Sequence, residues 1–357
     1  MRKLARKILF LLNIVAALAL LIAYISVIIP PEKLAFPAFF GLAYPYILLL
    51  NIIFVITWAL NFKPEVLISL IVIIVGFNHL NNYFRLGKKG GDDYDFSLMS
   101  YNIRLFNHYD TQEDSEKNIL EYLASEKPDI LCMQEFYING PVSEVKNRFA
   151  LPVNKDYKVH SKFIRIKENS YYGIVTFTRF PVAGRGDLVH PGSASLSIFT
   201  DIVIRNDTVR VYNNHLQSFK LRRMDKTLLE ELYTGEENQA VQELRNLSFS
   251  LKQGFARRSQ QARKVKELID NSPYPVIVCG DFNDTPISYS YRKIRKGLND
   301  AFVESGNGAG FTYKGKYPPN RIDYILFDDN FLSNAYKTDR IKYSDHYPVS
   351  ALLKIKN

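Results

Sequence analysis

The stretch 275–286, PVIVCGDFNDTP, begins as an apolar run and becomes polar after Gly280. Its first half predicts a buried β-strand, because short apolar runs bounded by turn residues are typical of strands in a core. Asp281, Asn283 and Asp284 then stand together where the strand ends. These residue types commonly form turns. A carboxylate, an amide and a second carboxylate at the mouth of a strand also suit a catalytic site.

The same order, apolar residues next to polar ones, recurs along the chain. The further polar groups are Asn102 in SLMSYNIR, Gln134 and Glu135 in DILCMQEF, Asn214 and His215 in VRVYNNHL, Asp323 in NRIDYILF, and Ser344, Asp345 and His346 in KYSDHYPVSALL. Each one alone is more often a turn former, a surface carboxylate or a structural histidine than a catalytic group. Burying so many polar groups without partners is costly, so their joint occurrence at strand ends predicts one shared site.

The chemistry of this set favours a hard divalent cation. Glu135, Asp281 and Asp345 supply carboxylate oxygens, and the sequence has no Cys/His spacing typical of zinc. Oxygen ligands favour Mg²⁺ or Mn²⁺, and such ions commonly neutralise charge on phosphoryl oxygens. The predicted cofactor is therefore Mg²⁺ or Mn²⁺, and the predicted substrate carries a phosphoester.

The overall charge agrees with an anionic partner. The chain has 357 residues and a formal net charge of +10. A basic surface suits phosphates, nucleic acid or acidic lipid headgroups, although it can also be merely solvated. Cys132 and Cys279 lie within apolar runs and are predicted to be small buried hydrophobic residues rather than a disulfide.

Residues 1–84 differ in kind from the rest and are predicted to be a membrane anchor. Apolar runs cover residues 8–29, 35–60 and 66–77. The first two are long enough to cross a bilayer as helices, whereas the third is short enough to be re-entrant or interfacial. A cleaved signal peptide is the alternative for the first run, but the further apolar runs argue against it. We expect three transmembrane helices.

The anchor predicts the side of the membrane on which the rest of the chain lies. Basic residues within positions 2–7 place the N-terminus in the cytoplasm. Three crossings then put the later residues on the outer side of the membrane, which is the periplasmic side of a bacterial inner membrane if the chain is bacterial, as the family resemblance described below implies. Arg85, Lys88 and Lys89 weaken this prediction, and the domain would be cytoplasmic if the third run did not cross.

Residues 85–95 read as a charged linker, and residues 96–357 as a globular domain. Strand-like runs dominate this domain, and helical periodicity appears at Ser115–Ser125 and Gly254–Ile269. Many strands with few helices predict an α/β (α+β) fold of four layers, two packed mixed sheets flanked by helices. The charged stretch Lys220–Arg263 is predicted to be a solvated helical insertion, with substrate contact as the alternative.

Seven ordered motifs together resemble the endonuclease/exonuclease/phosphatase superfamily. They are MSYNIR, MQEFY, YGIVTFTRFP, NNHLQS, GDFNDTP, RIDYIL and SDHYPV. The resemblance covers residues 96–355 and implies a DNase I-like fold and hydrolysis of phosphoester bonds. Its members include nucleases, sphingomyelinases and inositol-polyphosphate phosphatases.

The resemblance also implies a role for each matching residue. Glu135 would be the principal metal ligand with Asn102, and Asp345 would complete this or a second ion shell. His346 would be a general base or stabilise charge, and Asp323 would fix its tautomer. Asp281 would position or deprotonate water, Asn283 would bind phosphoryl oxygens, and His215 would stabilise the transition state or protonate the leaving oxygen. Asn214 and Thr178 are predicted to contact the substrate.

Three functions remain open at this point. The first is a membrane-anchored, metal-dependent phosphodiesterase that resembles a nuclease. The second is a phosphodiesterase or phosphatase acting on phospholipid or sphingomyelin-type headgroups, since the anchor would hold it near a bilayer. The third is a non-catalytic membrane receptor that binds anions. No protein partner is predicted.

Overall fold

The computed structural model describes residues 2–87, 91, 93–107, 115–219, 237–315 and 318–356. The helices are α1 Arg2–Ile25, α2 Phe36–Leu42, α3 Tyr44–Leu60, α4 Val66–Val75, α5 Phe77–Leu80, α6 Ser115–Glu126, α7 Leu151–Val153, α8 Glu237–Asp270, α9 Tyr289–Arg295 and α10 Ala301–Ser305. The strands are β1 Phe84–Arg85, β2 Phe96–Asn102, β3 Ile130–Asn139, β4 Lys158–Lys167, β5 Ser170–Thr178, β6 Val182–Val189, β7 Leu196–Ile204, β8 Asp207–His215, β9 Val276–Asp281, β10 Asn299–Asp300, β11 Gly308–Ala309, β12 Asp323–Phe327, β13 Phe331–Thr338 and β14 Val349–Ile355.

The chain divides into two compact units. The apolar unit comprises Met1–Leu80, Gln217–Ala262 and Ile287–Arg292. The sandwich unit comprises Asn81–Leu216, Arg263–Pro286 and Lys293–Asn357. The predicted insertion Lys220–Arg263 is helical from residue 237 onward, and its residues 220–236 lie outside the described part of the chain.

The sandwich unit contains two six-stranded mixed sheets. Their strand orders are β10-β12-β9-β8-β7-β6 and β13-β14-β2-β3-β5-β4. Each sheet has one parallel pair near its middle, β8 with β9 and β2 with β3, and its other neighbours are antiparallel. The predicted architecture of two packed mixed sheets flanked by helices is confirmed.

Alternating side chains of the two sheets form one apolar core between them. Leu98 and Cys132 point inward from one sheet, and Val211, Cys279 and Ile325 from the other. Both cysteines are free and buried, as the sequence predicted. On the outer face of the second sheet, α6 packs through its own apolar stripe. This helix begins at the predicted residue and ends one residue later than predicted.

In the apolar unit, α1 and α3 run antiparallel. Tyr24, near the end of α1, lies beside Tyr44 at the start of α3, with ring centroids 6.2 Å apart. Farther along, Asn51 Nδ2 donates to the carbonyl oxygen of Ala16 at 3.0 Å. Trp58, near the end of α3, packs in one cluster with Ala16.

The third apolar run, which forms α4, lies alongside α1 and runs in the same direction, with contacts along most of the length of α1. Arg6 donates to Glu65, just before α4, at 2.5 Å. Ser69 Oγ lies 2.5 Å from Asn13 Oδ1 in the middle of both helices. At the far end, the ring of Tyr24 stacks on that of His79 in α5, with centroids 5.1 Å apart.

Length and composition set a limit on the spans. Among the described helices, α1 alone is long and apolar enough to cross a membrane by itself. The pair α2 and α3, bent by 70°, would form a second span if it is counted as one, and α4 is a shorter apolar helix.

Candidate active site

The two central parallel pairs end at the same site. Asn102 and Gln134 are register partners at the carboxyl end of β2 and in β3, and His215 and Asp281 are partners at the ends of β8 and β9. Asp323 begins the antiparallel strand β12 directly opposite Asp281. Parallel strands deliver their carboxyl ends to one edge of a sheet, which explains how residues distant in the chain meet.

Gly280 permits the last turn of β9. Its φ of +128° is a backbone conformation that residues with a side chain rarely adopt. A Cβ atom there would lie 2.0 Å from the carbonyl oxygen of Asn214 on the neighbouring strand. Both the backbone angle and the close approach therefore require glycine before Asp281.

Asp281 lies at the centre of the site and is held by amide donors. Its Oδ2 accepts from Asn102 Nδ2 at 2.8 Å and from Asn283 Nδ2 at 3.1 Å, and its Oδ1 accepts from the backbone N–H of Asn283 at 2.7 Å. Burial raises the pKa of Asp281 to about 7, against a lowering by the charge of His346. A carboxylate in this range can exchange a proton near neutral pH.

His346 forms a pair with Asp323. Its Nδ1 lies 3.0 Å from Asp323 Oδ2, and its Nε2 lies 3.8 Å from Asp281 Oδ2. Burial by itself lowers the pKa of this imidazole, but the charges of Asp323 and Asp281 outweigh burial and raise the pKa to about 10. The ring is therefore a cation at neutral pH, held in one orientation by Asp323.

His215 lies on the other side of Asp281. Its Nε2 is 3.8 Å from Asp281 Oδ2 and 3.6 Å from Glu135 Oε1, and its Nδ1 is 2.7 Å from the hydroxyl of Tyr172. Burial lowers the pKa of His215, so the ring is neutral at neutral pH. Asp281 Oδ2 thus lies between two imidazole nitrogens at equal distances.

Two of the predicted site residues stand on strained backbone. Glu135 has a φ of +49° and Asn283 a φ of +52°. Such conformations cost about 1–3 kcal/mol each and concentrate at functional sites. The sequence predicted that β3 ends near Glu135. The strand instead continues to Asn139, and its register against β5 shifts at Glu135.

A buried polar network below the site joins the two sheets. Gln134 Nε2 donates to Asn213 Oδ1 at 2.7 Å and to Ser100 Oγ at 3.1 Å. Asn213 Nδ2 donates to the carbonyl oxygen of Val175 at 2.9 Å. Sequence reasoning missed Asn213 and Tyr172. Asn213 could have been found, because it shares a strand face with His215, two residues on.

The structure does not bring every predicted residue into the site. Asn214 lies on the opposite face of β8 from His215, and its Nδ2 donates to the carbonyl oxygen of Cys279 at 3.2 Å. Thr178 pairs with Ile130 at the far end of β3, five residues along that strand from Glu135. Its hydroxyl accepts from the backbone N–H of Phe180 at 3.2 Å, which is a turn contact.

Asn283 and Asp345 lie in the site with contacts that differ from those predicted. The two amide hydrogens of Asn283 are directed to Asp281 and to the carbonyl oxygen of Leu216, so this side chain positions Asp281. Asp345 lies 4.0 Å from His346 Nε2, and its Oδ2 lies 3.3 Å from Arg104 Nε. Sequence reasoning did not single out Arg104.

The donor set fits a divalent cation. Asp281, Asp323 and His346 offer ligand atoms that lie within 4.8 Å of one another. Asp323 and His346 are already bonded to each other, whereas Glu135 presents a partly exposed carboxylate beside the same pocket. The amide oxygen of Asn102 accepts from the backbone of Arg104 and keeps a second lone pair. These are hard oxygen donors of the kind that Mg²⁺ and Mn²⁺ prefer.

Comparison with known proteins identifies the family. The family model for the Endonuclease/Exonuclease/phosphatase family matches residues 99–346. The chain belongs to this family. A second model, for a domain of unknown function, matches residues 6–83. No curated protein sequence matches the chain.

Solved structures of the family share the fold. A humanised zebrafish (D. rerio) TDP2 is 17% identical, covers 72% of this chain and 98% of its own, and has a TM-score of 0.51. A family protein from Leptotrichia buccalis is 16% identical over 73% and 100%, with a TM-score of 0.52. The human Nocturnin catalytic domain is 17% identical over 74% and 94%, also at 0.52. The family is a class of phosphoester hydrolases whose enzymes generally use divalent metals.

Proposed function

We propose that the protein is a membrane-anchored, Mg²⁺- or Mn²⁺-dependent phosphodiesterase that resembles the nucleases of its family. The observation that carries this proposal is the position of Asp281 Oδ2, 3.8 Å from the Nε2 atoms of both His215 and His346. A carboxylate between a neutral and a cationic imidazole supplies a proton acceptor and charge stabilisation in one pocket.

The residues divide the work as follows. Asp281, with its pKa near 7, accepts a proton from the attacking water. His346 is cationic and stabilises negative charge on the phosphoryl oxygens, while Asp323 holds its ring in place. His215 is neutral, and its Nε2–H tautomer, favoured when Tyr172 donates to Nδ1, can donate to the leaving oxygen.

Glu135 and the amide oxygen of Asn102 would hold the cation, beside Asp281, which accepts the proton. The bound ion would neutralise charge on the phosphoryl group. Asp345, paired with Arg104, would take part only if a second ion binds.

Two observations on similar proteins bear on the substrate, the first favouring a nucleic acid and the second an anion of any kind. A zebrafish TDP2 structure contains a single-stranded DNA product, and the Nocturnin structure contains a sulfate anion. The formal charge of +10 agrees with a polyanionic substrate. A lipid-headgroup phosphodiesterase is the second candidate, supported by the apolar helices of the same chain.

A substrate screen tests the function. The purified full chain in detergent, freed of metal by chelation and then given Mg²⁺ or Mn²⁺, should cleave single-stranded DNA or RNA faster than phosphatidylcholine or sphingomyelin. The reverse order would favour the second candidate. If none of these esters is cleaved faster than by the His346→Ala variant, the catalytic proposal is wrong.

We also propose three membrane crossings, with the sandwich unit on the outer side. The contacts Arg6–Glu65 and Tyr24–His79 support the third crossing, because they place both ends of the third apolar run beside α1, the helix that is long enough to cross a membrane. The basic N-terminal residues favour a cytoplasmic start.

Cysteine accessibility tests this topology. Lys33→Cys and Lys155→Cys should react with a membrane-impermeant maleimide in intact spheroplasts, and Lys63→Cys should react only after lysis. The natural cysteines are buried and serve as the unlabelled background. Protection of Lys155→Cys in intact spheroplasts would contradict the topology.

A further inference from the structure

The first half of α8 carries an apolar stripe. Its residues recur at spacings of three and four, which places them on one side of a helix. The α8 stripe consists of Val241, Leu244, Leu247, Leu251 and Phe255. Its upper members are open, because Val241 is 59% and Leu244 50% exposed.

The lower end of the stripe is covered by helix α2. Phe255 is buried, and its ring meets that of Phe39 edge-on, with centroids 5.3 Å apart. One turn later, Ser259 Oγ donates to Glu32 at 2.5 Å. The side of α8 that carries the stripe therefore faces α2, and Val241 and Leu244 continue that same side by about 20 Å beyond Phe255.

Helix α2 has the features of a segment at the edge of a bilayer. It follows the C-terminal end of α1 and is bent by 70° from α3. Leu34 is 49% and Phe36 57% exposed, beside the buried contact of Phe39. In the proposed topology, the connection from α1 to α2 lies at the outer surface of the membrane.

Charge distribution on α8 suits a lipid surface. Arg245 and Lys252 lie along one edge of the stripe and are exposed, and beyond them the opposite side carries Gln242, Asn246 and Gln253 together with the exposed Phe249. An apolar face with basic residues at its edge is typical of helices that lie in the interface of an anionic bilayer.

We infer that the α8 stripe binds the outer surface of the same bilayer that the apolar unit crosses, with a preference for anionic phospholipid. This inference rests on the proposed topology. Leu244 and Leu251 would enter the boundary between headgroups and acyl chains by about 5–10 Å, and Arg245 and Lys252 would contact lipid phosphates. Helix α8 would then attach the adjacent part of the same chain to the lipid surface, in addition to the attachment that the crossing helices provide.

Nitroxide labels on the full chain test the inference. Single variants Leu244→Cys, Asn246→Cys and Ile53→Cys are labelled and reconstituted into vesicles of phosphatidylcholine with phosphatidylglycerol, and into phosphatidylcholine alone. Ile53 is an exposed residue of α3 and reports whether the apolar unit is inserted. Collision with oxygen, which concentrates in lipid, is compared with collision with a water-soluble nickel chelate.

We expect the ratio of oxygen to nickel collision to be several-fold higher at Leu244 than at Asn246, and to fall at Leu244 in phosphatidylcholine alone. Equal ratios at the two positions, with Ile53 in lipid, would overturn the inference and leave the topology intact. Shielding of the label at Leu244 from both reagents would also overturn the inference, because it would mean that protein covers this position. Spin–spin broadening would overturn it as well, because it would mean that a second copy of the chain lies there. A water-exposed label at Ile53 would overturn the topology and the inference together. An unchanged ratio without phosphatidylglycerol would overturn the anionic preference.

Discussion

His346 and His215 are both buried in the candidate site, 3.8 Å from the same oxygen of Asp281, yet their pKa values move in opposite directions. Burial lowers the pKa of each ring. His346 bonds directly to the carboxylate of Asp323, whose charge, with that of Asp281, raises the pKa of the ring to about 10. His215 bonds to the phenol of Tyr172, which brings no full charge.

The difference shows that the partner at Nδ1, rather than depth of burial, assigns the role of each imidazole. A bonded carboxylate makes a fixed cation, and a bonded phenol leaves a neutral donor or acceptor. One residue type thus supplies two functions within a single pocket, as paired titratable groups with different surroundings commonly do.

The largest effect is expected from removing the cationic imidazole of His346. His346→Ala should lower kcat by about 10²- to 10³-fold, because a charged donor to the phosphoryl oxygens is lost. Steady-state hydrolysis by the full chain measures this. His160→Asn is the matched control, since it alters another histidine of the sandwich unit and should leave kcat unchanged. Comparable losses in both variants would mean that the effect is structural.

A smaller loss of activity is expected when His346 is kept but its bonded carboxylate, Asp323, is removed. Asp323→Asn should lower kcat by roughly 10- to 100-fold, as loss of an orienting carboxylate typically does. The pKa of His346 falls in this variant, so the ratio of variant to wild-type activity should decline further as the pH rises. The pH profile of kcat measures this decline, with Asp207→Asn at the exposed start of β8 as control. A constant ratio across pH would show that Asp323 does not set the charge of His346.

A change at the partner of the neutral His215 should lower kcat by less. Tyr172→Phe removes one hydrogen bond to His215 and no charge, and a bond worth about 1 kcal/mol corresponds to about a fivefold loss in kcat. The pH profile should keep its shape. A loss as large as that of Asp323→Asn would contradict the distinction between the two histidines.

The histidines also mark where the sequence was informative. His215, Asp281 and His346 could be predicted because each stands beside an apolar run that forms a central strand. Their protonation could not be predicted, since it depends on Tyr172 and Asp323, which are far from them in the chain and meet them only after folding.

The errors in strand prediction have a similar physical origin. Strands β4, β6, β7 and β13 were not predicted. Three of them, β4, β6 and β13, lie at the edges of the sheets, where half-exposed residues dilute the apolar pattern, whereas β7 is a buried interior strand whose apolar run was overlooked. In β6 the glycines at 184 and 186 read as turn residues, although the rings and carboxylates of β7 fill the space that their side chains would occupy. Asn214 and Thr178 were misplaced because proximity in sequence to a motif does not determine the strand face or the end of the strand.

The smallest effect is expected at a histidine that has burial without a carboxylate bond. His160 Nδ1 lies 2.8 Å from Thr200 Oγ1, and burial, aided by Arg185 and opposed by Asp187, lowers its pKa to about 4. The unfolded chain, with a histidine pKa of about 6.5, then binds the proton more tightly than the folded one. Stability is therefore complete above pH 6.5 and declines as the pH falls toward 4.

Because His160 is only partly buried, solvent screening should limit this decline to about 1 kcal/mol in the free energy of unfolding. The full chain in detergent should show the decline in thermal unfolding followed by circular dichroism, and His160→Asn should reduce it. His190, whose pKa burial also lowers to about 4, supplies the residual dependence in that variant. If His160→Asn and the wild type lose stability equally between pH 6.5 and 4, burial does not keep this imidazole neutral, and the lowered pKa of His215 would need a cause other than burial.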